Sequence, residues 1–287
     1  MTFTFWKYHG LGNDFVIVDH RKPEGTGSMG DWSPEKAQKV LDRHRGIGGD
    51  GVLLMEDSTE ADFRMVIYNA DGSRPEMCGN GLRCFVRYLY ERGHTDKKEL
   101  SIETDRGVLG AFIHFDEAGS IETVRIDMGQ PILERELVPM TGGSGPCIEE
   151  PISIEGHSYP VTAVSMGNPH MITFTPFGEQ EKRLSPLLER HPLFPNRTNV
   201  EFVEVLSPTK LKVVVFERGC GFTQACGTGA CAVAVAAVLT KRSPANQEIE
   251  VLLPGGPLWI EVPEDMSTVW MRGAAIGVFQ GQWEAAL

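Results

Sequence analysis

Apolar positions along the chain recur with two periods. Residues 62–68 (Asp-Phe-Arg-Met-Val-Ile-Tyr) and 210–216 (Lys-Leu-Lys-Val-Val-Val-Phe) alternate or run apolar, which predicts strands. Leu82, Phe85, Val86 and Leu89 recur at helical spacing and predict a helix with Arg83 and Arg87 on its outward side. Residues 230–239 are apolar on every face and predict a helix buried at the centre of a domain. Residues 34–44, with Ser33 as N-cap and Pro34 at the first helical position, and residues 184–190 complete the predicted helices. Residues 124–128 and 259–262 read as strands, and residues 268–271 with 275–279 as a terminal strand pair. Residues 141–146 (Thr-Gly-Gly-Ser-Gly-Pro) read as a surface loop.

The pattern repeats. Gly12-Asn13 opens an apolar stretch and so does Gly167-Asn168; Gly51-Val-Leu-Leu-Met55 resembles Asn199-Val-Glu-Phe-Val203; Cys78-Gly-Asn-Gly81 resembles Cys226-Gly-Thr-Gly229. Three matches in one order and at nearly one offset indicate two related halves of about 150 residues each. Strands outnumber helices, so each half is α+β. The joint is expected near residues 119–122. That gives an N-terminal half over 1–121, completed by a C-terminal strand at about 274–287, and a C-terminal half over 122–273.

Composition narrows the partners. The chain has 287 residues, 41% of them hydrophobic, and a formal charge of −12, which argues against a phosphate-tracking nucleic-acid binder and against a polybasic membrane anchor. The longest apolar run is about half the length needed to span a bilayer. The opening residues lack a basic region followed by an apolar core, so a cytoplasmic protein is expected. No C-x2-C pair suggests a zinc site, and the 6 cysteines are too sparse for a disulfide scaffold.

Five of those cysteines fall in two glycine-rich segments. A Cys followed by Gly-x-Gly and a helix places its sulfur at the helix start, where unpaired N–H groups and the positive end of the macrodipole favour a thiolate. The pKa of both Cys78 and Cys226 is accordingly expected to be lowered toward neutral. The same glycines let an anionic group approach bare backbone donors. Two matched groups of this kind suit removal of a proton from one face of a carbon and delivery to the other, the work of a racemase or epimerase. Cys84 and Cys231 read as core, Cys220 as exposed between Gly219 and Gly221, and Cys147 carries no signal. Asp14 and Asp50 read as loop-pinning residues. Gly46-Ile-Gly-Gly-Asp-Gly51 fits G-x-G-x-x-G literally, but a strand follows it, the reverse of the dinucleotide fingerprint. No Walker A motif or nucleophile elbow occurs.

Further motifs extend this reading: His9-Gly-Leu-Gly-Asn-Asp-Phe15, Arg45-Gly-Ile-Gly-Gly-Asp-Gly51, Tyr68-Asn-Ala-Asp-Gly-Ser73, Cys78-Gly-Asn-Gly-Leu-Arg-Cys84, Gly167-Asn-Pro-His170, Asn199-Val-Glu-Phe202, Glu217-Arg-Gly219 and Ala225-Cys-Gly-Thr-Gly-Ala-Cys231. In this ordered set the chain resembles diaminopimelate epimerase from end to end. The resemblance implies two pseudo-symmetric domains, each a mostly antiparallel sheet wrapped around a central helix, with the active site in the cleft between them. It implies a two-base, cofactor-free and metal-free enzyme that interconverts LL- and meso-diaminopimelate for lysine biosynthesis. Carried over by position, Cys78 and Cys226 are the thiol/thiolate pair, with His170 and Glu217 as polar partners. Asn13, Asn69, Asn168, Asn199 and Arg218 are side-chain contacts to substrate, and Gly79-Asn80 and Gly227-Thr228 are the backbone cradles. The partner is then a small amino acid, with no nucleic acid and no membrane, and a homodimer is the candidate assembly. The chain departs from the family pattern at Phe222, where an acidic residue is usual, and at Gly51, near which Gln is frequent. Both bear on the end of the site that reads the distal amino-acid group. The alternatives are another cysteine-pair racemase of this fold, of proline, glutamate or histidine type, or a non-thiol isomerase or binding relative.

Overall fold

The computed structural model describes residues 2–21 and 31–284. The chain divides into two compact units, Met1–Ile126 with Gly273–Leu287, and Asp127–Arg272. The first holds β1 (Thr2–Gly10), β2 (Asn13–Asp19), α1 (Pro34–Leu41), β3 (Gly51–Glu56), β4 (Phe63–Asn69), α2 (Gly79–Glu91), β5 (Glu99–Thr104), β6 (Gly107–Phe115) and β7 (Ile121–Asp127). The second holds β8 (Glu150–Ile154), β9 (His157–Ser165), β10 (Pro169–Thr173), α3 (Glu179–Glu189), β11 (Asn199–Ser207), β12 (Lys210–Glu217), β13 (Gly221–Phe222), α4 (Gly227–Leu239), β14 (Glu248–Leu253), β15 (Gly256–Glu261) and β16 (Trp270–Gly273). β17 (Ile276–Glu284) belongs to the first unit again. Residues 119–122, where the joint is expected, lie at the turn of the β6–β7 hairpin, and the division itself falls between Ile126 and Asp127.

In the first unit the strands pair in the order β17, β1, β2, β3, β4, β5, β6, β7, with β2–β3 and β4–β5 parallel and the others antiparallel. In the second the order is β8, β9, β10, β11, β12, β14, β15, β16, with β10–β11 and β12–β14 parallel. Each ladder takes the same sequence of antiparallel and parallel steps. The expected pairing of residues 268–271 with 275–279 does not occur: β16 pairs with β15, and β17 with β1.

Both sheets are covered on both faces, which is why their central strands are apolar without interruption. On one face of the first sheet Val16, Val18, Val52, Leu54 and Val66 pack with Trp32 and with Ala37, Val40 and Leu41 of α1. Ser33 caps α1 by accepting from Lys36 N–H, with Pro34 in the first turn. In the second sheet Met171, Val200 and Phe202 pack with Leu184 and Leu188 of α3. That helix starts five residues before the apolar stripe predicts, because the Glu181 carboxylate accepts from Gly178 N–H and organises a polar first turn.

On the opposite faces the sheets wrap α2 and α4. The all-apolar run of α4 is buried along Gly229–Ala237, as a helix with no polar face must be. α2 carries polar residues yet is enclosed to nearly the same degree, and this corrects the placement of Arg83. Its side chain is fully buried, not outward. Arg83 Nη2 donates to Asn80 Oδ1 at 2.8 Å, and Arg87 Nη1 donates to the carbonyls of Ile121 at 3.2 Å and Ala275 at 2.6 Å. The two guanidinium groups tie α2 to β7 and to the lead-in of β17.

Replacing Arg83 by Leu leaves buried acceptors without donors and should lower the stability of the chain by about 3 kcal/mol in urea unfolding. A second polar tie opens β2. The carboxylate of Asp14 meets Lys7 Nζ at 2.5 Å and Arg43 Nη2 at 2.6 Å. Burial alone would raise its pKa, but the hydrogen bonds and charges of Arg43 and Lys7 outweigh it and bring it down to about 2. A lowered native pKa means stabilisation that is complete above the unfolded value of about 4 and lost as pH falls toward about 2. Asp14→Asn should flatten that acid limb and cost about 2 kcal/mol at pH 7, as read from unfolding curves over a pH series.

Candidate functional site

In the first unit, Cys78 is the N-cap of α2, with extended backbone angles (φ −141°, ψ 112°). Its carbonyl accepts from Leu82 N–H, which starts the helix, and its sulfur accepts from Gly81 N–H at 3.5 Å. The sulfur is half-buried. Gly81 sits in a tight space: a Cβ there would lie 3.2 Å from Leu53 Cδ2 and 3.5 Å from Phe15 Cε1. Beside this start a chain of side chains is fixed end to end. Asn80 Nδ2 donates to Asn13 Oδ1 at 3.2 Å, Asn13 Nδ2 donates to Asp50 Oδ2 at 2.8 Å, and Arg43 Nη2 donates to Asp50 Oδ1 at 2.8 Å. Asn69, at the end of β4, donates from Nδ2 to Ser73 Oγ at 3.0 Å. Its backbone pairs in register with Gly51, which in turn pairs with Phe15.

In the second unit, Cys226 is the N-cap of α4 with nearly the same backbone angles (φ −122°, ψ 107°). It is 5% exposed, with Thr228 Oγ1 at 3.6 Å from its sulfur. The expected lowering of its pKa does not hold. Burial pushes the Cys226 thiol well up, and the charges of Glu217 and Glu201 push it further, against the smaller help of Thr228 and Gly229 N–H. Helix-start donors favour a thiolate only where the sulfur keeps its hydration, and here desolvation beside two carboxylates decides. The surroundings of Cys226 thus favour the thiol over the thiolate.

Around it stand the other predicted residues of this half. His170 on β10 is fully buried, with Nδ1 2.6 Å from Glu201 Oε1 and Nε2 3.0 Å from Asn168 Oδ1. Asn199 pairs in register with His170; its Nδ2 donates to Pro169 O at 2.9 Å, and its Oδ1 accepts from Arg218 N–H at 2.9 Å. Both ends of this 3% exposed carboxamide thus hold backbone, joining the start of β10 to the segment after β12. Glu217 ends β12 half-buried and accepts from Thr223 Oγ1 at 2.5 Å. Arg218 is exposed, with Nη1 donating to Asn196 O at 3.3 Å.

Each unit thus assembles its own predicted residues: Cys78, Gly79, Asn80, Asn13 and Asn69 in one, and Cys226, Gly227, Thr228, His170, Asn168, Asn199, Glu217 and Arg218 in the other. Sequence reasoning passed over Glu201 and Glu189. Glu201 reads as one polar letter in an apolar strand, and that interruption is the signal that marks it. Glu189, nearly enclosed, accepts from Gly219 N–H at 3.1 Å and holds the turn after Arg218. Phe222 lies 44% exposed on β13, with ring centroids 5.4 Å from Phe177 and 5.0 Å from Phe216. Cys84, Cys147 and Cys231 are buried, and Cys220 is exposed in a turn between two glycines of positive φ. Among the described residues, no cluster of three or more His, Cys, Asp and Glu is placed to hold a metal ion, and no helix is long and apolar enough to cross a membrane.

Comparison with known proteins places this arrangement. The chain is 50% identical to a diaminopimelate epimerase of Desulforudis audaxviator, over 98% of this chain and 99% of the relative. It is 47% identical to one of Moorella thermoacetica, over 97% and 98%. Among solved structures it resembles a Bacillus anthracis phenazine biosynthesis protein of the PhzF family (TM-score 0.69, 17% identity, covering 99% of this chain and 100% of that one). It also resembles a hydroxyproline epimerase of Agrobacterium vitis (TM-score 0.67, 15% identity, 98% and 91%). These two likenesses concern the fold, which is the α+β, doubled-sheet architecture described above. The family model for diaminopimelate epimerase matches residues 5–134 and 162–278, and the chain belongs to the diaminopimelate epimerase family.

Proposed function

We propose that this chain interconverts LL- and meso-diaminopimelate in the cytoplasm, with no cofactor, through two cysteine bases. The observation that carries the reading is the equivalence of Cys78 and Cys226: two sulfurs in one register of a duplicated scaffold, each capping a buried helix with closely similar backbone angles. The 6 cysteines form no disulfide, which suits a thiol enzyme in a reducing compartment.

A two-base epimerisation needs its sulfurs on opposite faces of one α-carbon. One thiolate takes the α-hydrogen as a proton, and the C–H electron pair moves onto the carbon and its carboxylate. The thiol on the other face then donates its proton to that carbon. The first sulfur ends as thiol and the second as thiolate, so charge and protons balance. Cys226, held protonated by its surroundings, is the resting acid, and Cys78 is the resting base. The N–H groups at the starts of α2 and α4 stabilise charge on carboxylate and sulfur. Arg218 offers a cation for a carboxylate, and Glu217 with the Asn13 and Asn69 amides offers acceptors for ammonium groups. Phe222 replaces the usual acidic residue by an aromatic face, so the distal head is held by the remaining polar groups.

Incubation of the protein with diaminopimelate in deuterated water, without pyridoxal phosphate or metal, should give epimerised product carrying deuterium at the α-carbon. Cys78→Ala and Cys226→Ala should each lower the rate by at least about 1,000-fold. Full activity of either variant would overturn the two-base reading, and turnover of proline or glutamate instead would overturn the substrate. A second expectation concerns access. Limited alkylation with iodoacetamide followed by peptide mapping should label Cys78 before Cys226, because the second sulfur is both enclosed and protonated. Equal labelling would contradict the asymmetry of acid and base.

A further inference from the structure

The duplicated ladders differ where they touch the two cysteines. In β2–β3, Phe15 pairs with Gly51, and Leu53 follows two residues on; in β10–β11, His170 pairs with Asn199, and Glu201 follows two residues on. The residues correspond one to one. In the first unit the apolar pair Phe15 and Leu53 packs on Gly81. In the second a Cβ on Gly229 would lie 2.9 Å from Glu201 Oε1 and 3.2 Å from Cys226 Sγ. The scaffold therefore closes with an apolar pair at these positions, and its second copy closes with a carboxylate and an imidazole, both fully buried.

Such a substitution costs stability, because desolvating an ionisable pair is seldom repaid by its own attraction. Here the cost is raised further: Glu201 Oε2 is buried without a hydrogen-bond partner. Folding does not call for this pair, as the first unit demonstrates.

The hydrogen-bond chemistry says what the pair does. Asn168 Oδ1 can only accept, so the His170 Nε2 that lies 3.0 Å from it carries a hydrogen. Nδ1 then has one hydrogen in common with Glu201 Oε1 across 2.6 Å, located on either atom. The titratable groups facing Glu201 are His170 from β10, Glu217 from β12 and Cys226 from the start of α4. Burial, reinforced by Glu217, raises the Glu201 pKa against the pull of His170.

We propose that Glu201 is a positioning residue that acts through His170: the hydrogen it holds in common with Nδ1 keeps Nε2 a donor to Asn168 Oδ1, so that the Asn168 carboxamide presents its NH2 end to a substrate carboxylate. This rests on the epimerase reading for the substrate, but the orientation of the ring and amide does not. With an apolar residue in place of Glu201, the imidazole is free to place its single hydrogen on Nδ1, Nε2 becomes an acceptor, and the amide of Asn168 turns round.

A double-mutant cycle with an NMR readout tests this. Glu201→Leu, which copies the first unit, should lower kcat/KM about 30-fold or more, Asn168→Ala by a comparable factor, and the double variant by no more than about 3-fold beyond Asn168→Ala alone. Glu201→Gln, whose amide can donate to Nδ1 and so keep the hydrogen on Nε2, should stay within about 3-fold of the native kcat/KM. A low-field proton between His170 Nδ1 and Glu201 should appear in the 15N-labelled native protein and vanish in Glu201→Leu. Effects that multiply, or a Glu201→Leu protein with native kcat/KM, would overturn the proposal. So would a native protein without that proton, or a Glu201→Gln protein as impaired as Glu201→Leu. A cooperative unfolding transition of Glu201→Leu supplies the folding control. The NMR arm is independent of substrate, so an enzyme inactive on diaminopimelate would sink the functional reading without touching this one.

Discussion

Everything near the two cysteines depends on one constraint: a helix enclosed on nearly all sides must have the N–H groups of its first turn answered at the point where it enters the sheet. In α2 and α4 that point is a cysteine in extended conformation followed by Gly-x-Gly. A Cβ on Gly229 would crowd Glu201, and one on Gly81 would press on Leu53, so small residues recur in both first turns. Backbone N–H groups thus face the cap, as Gly81 N–H does in donating to the Cys78 sulfur, and such a helix start can cradle an anion. Burial of the helix body and reactivity of its cap are two consequences of the same packing.

Duplication makes the half-sites comparable and their differences informative. The two caps have nearly the same backbone, yet Cys78 is half-buried beside apolar neighbours while Cys226 is enclosed beside Glu201 and Glu217. In the first unit the polar residues around the cap form a closed network, Arg83–Asn80–Asn13–Asp50–Arg43, which holds loops in place. In the second, the carboxylates of Glu201 and Glu217 act on the sulfur itself. The two copies of one scaffold thus surround their caps with different side chains.

The relatives divide along the same line. Proteins 42–50% identical to this chain carry the name diaminopimelate epimerase. Structures of similar fold at 11–17% identity include proteins titled as a proline racemase, a methylitaconate isomerase and phenazine biosynthesis proteins. A shared fold thus carries proteins of different names, and fold alone does not fix function. Phe222 meets Phe177 and Phe216 edge-on and so joins an aromatic cluster on β13.

The amino-acid sequence by itself determined the elements and their duplication. Strand periods, the all-apolar α4, the Ser33–Pro34 helix start and the repeated Cys-Gly-x-Gly are local signals, readable because backbone geometry imposes their spacing. The motifs also named the residues of each half-site. Only the tertiary structure decided what depends on neighbours distant in sequence. Arg83 lies on a helical face that looks polar, and it turns inward because α2 is wrapped on all sides and Asn80 supplies an acceptor. The terminal segments take different partners, β16 pairing with β15 and β17 with β1, which no local pattern encodes. The raised pKa of Cys226 comes from desolvation together with Glu201 and Glu217, which the fold brings to it from β11 and β12. Propensity and capping act over a few residues and can be read along the chain; burial and electrostatic fields are sums over space, and they exist only once the chain has closed.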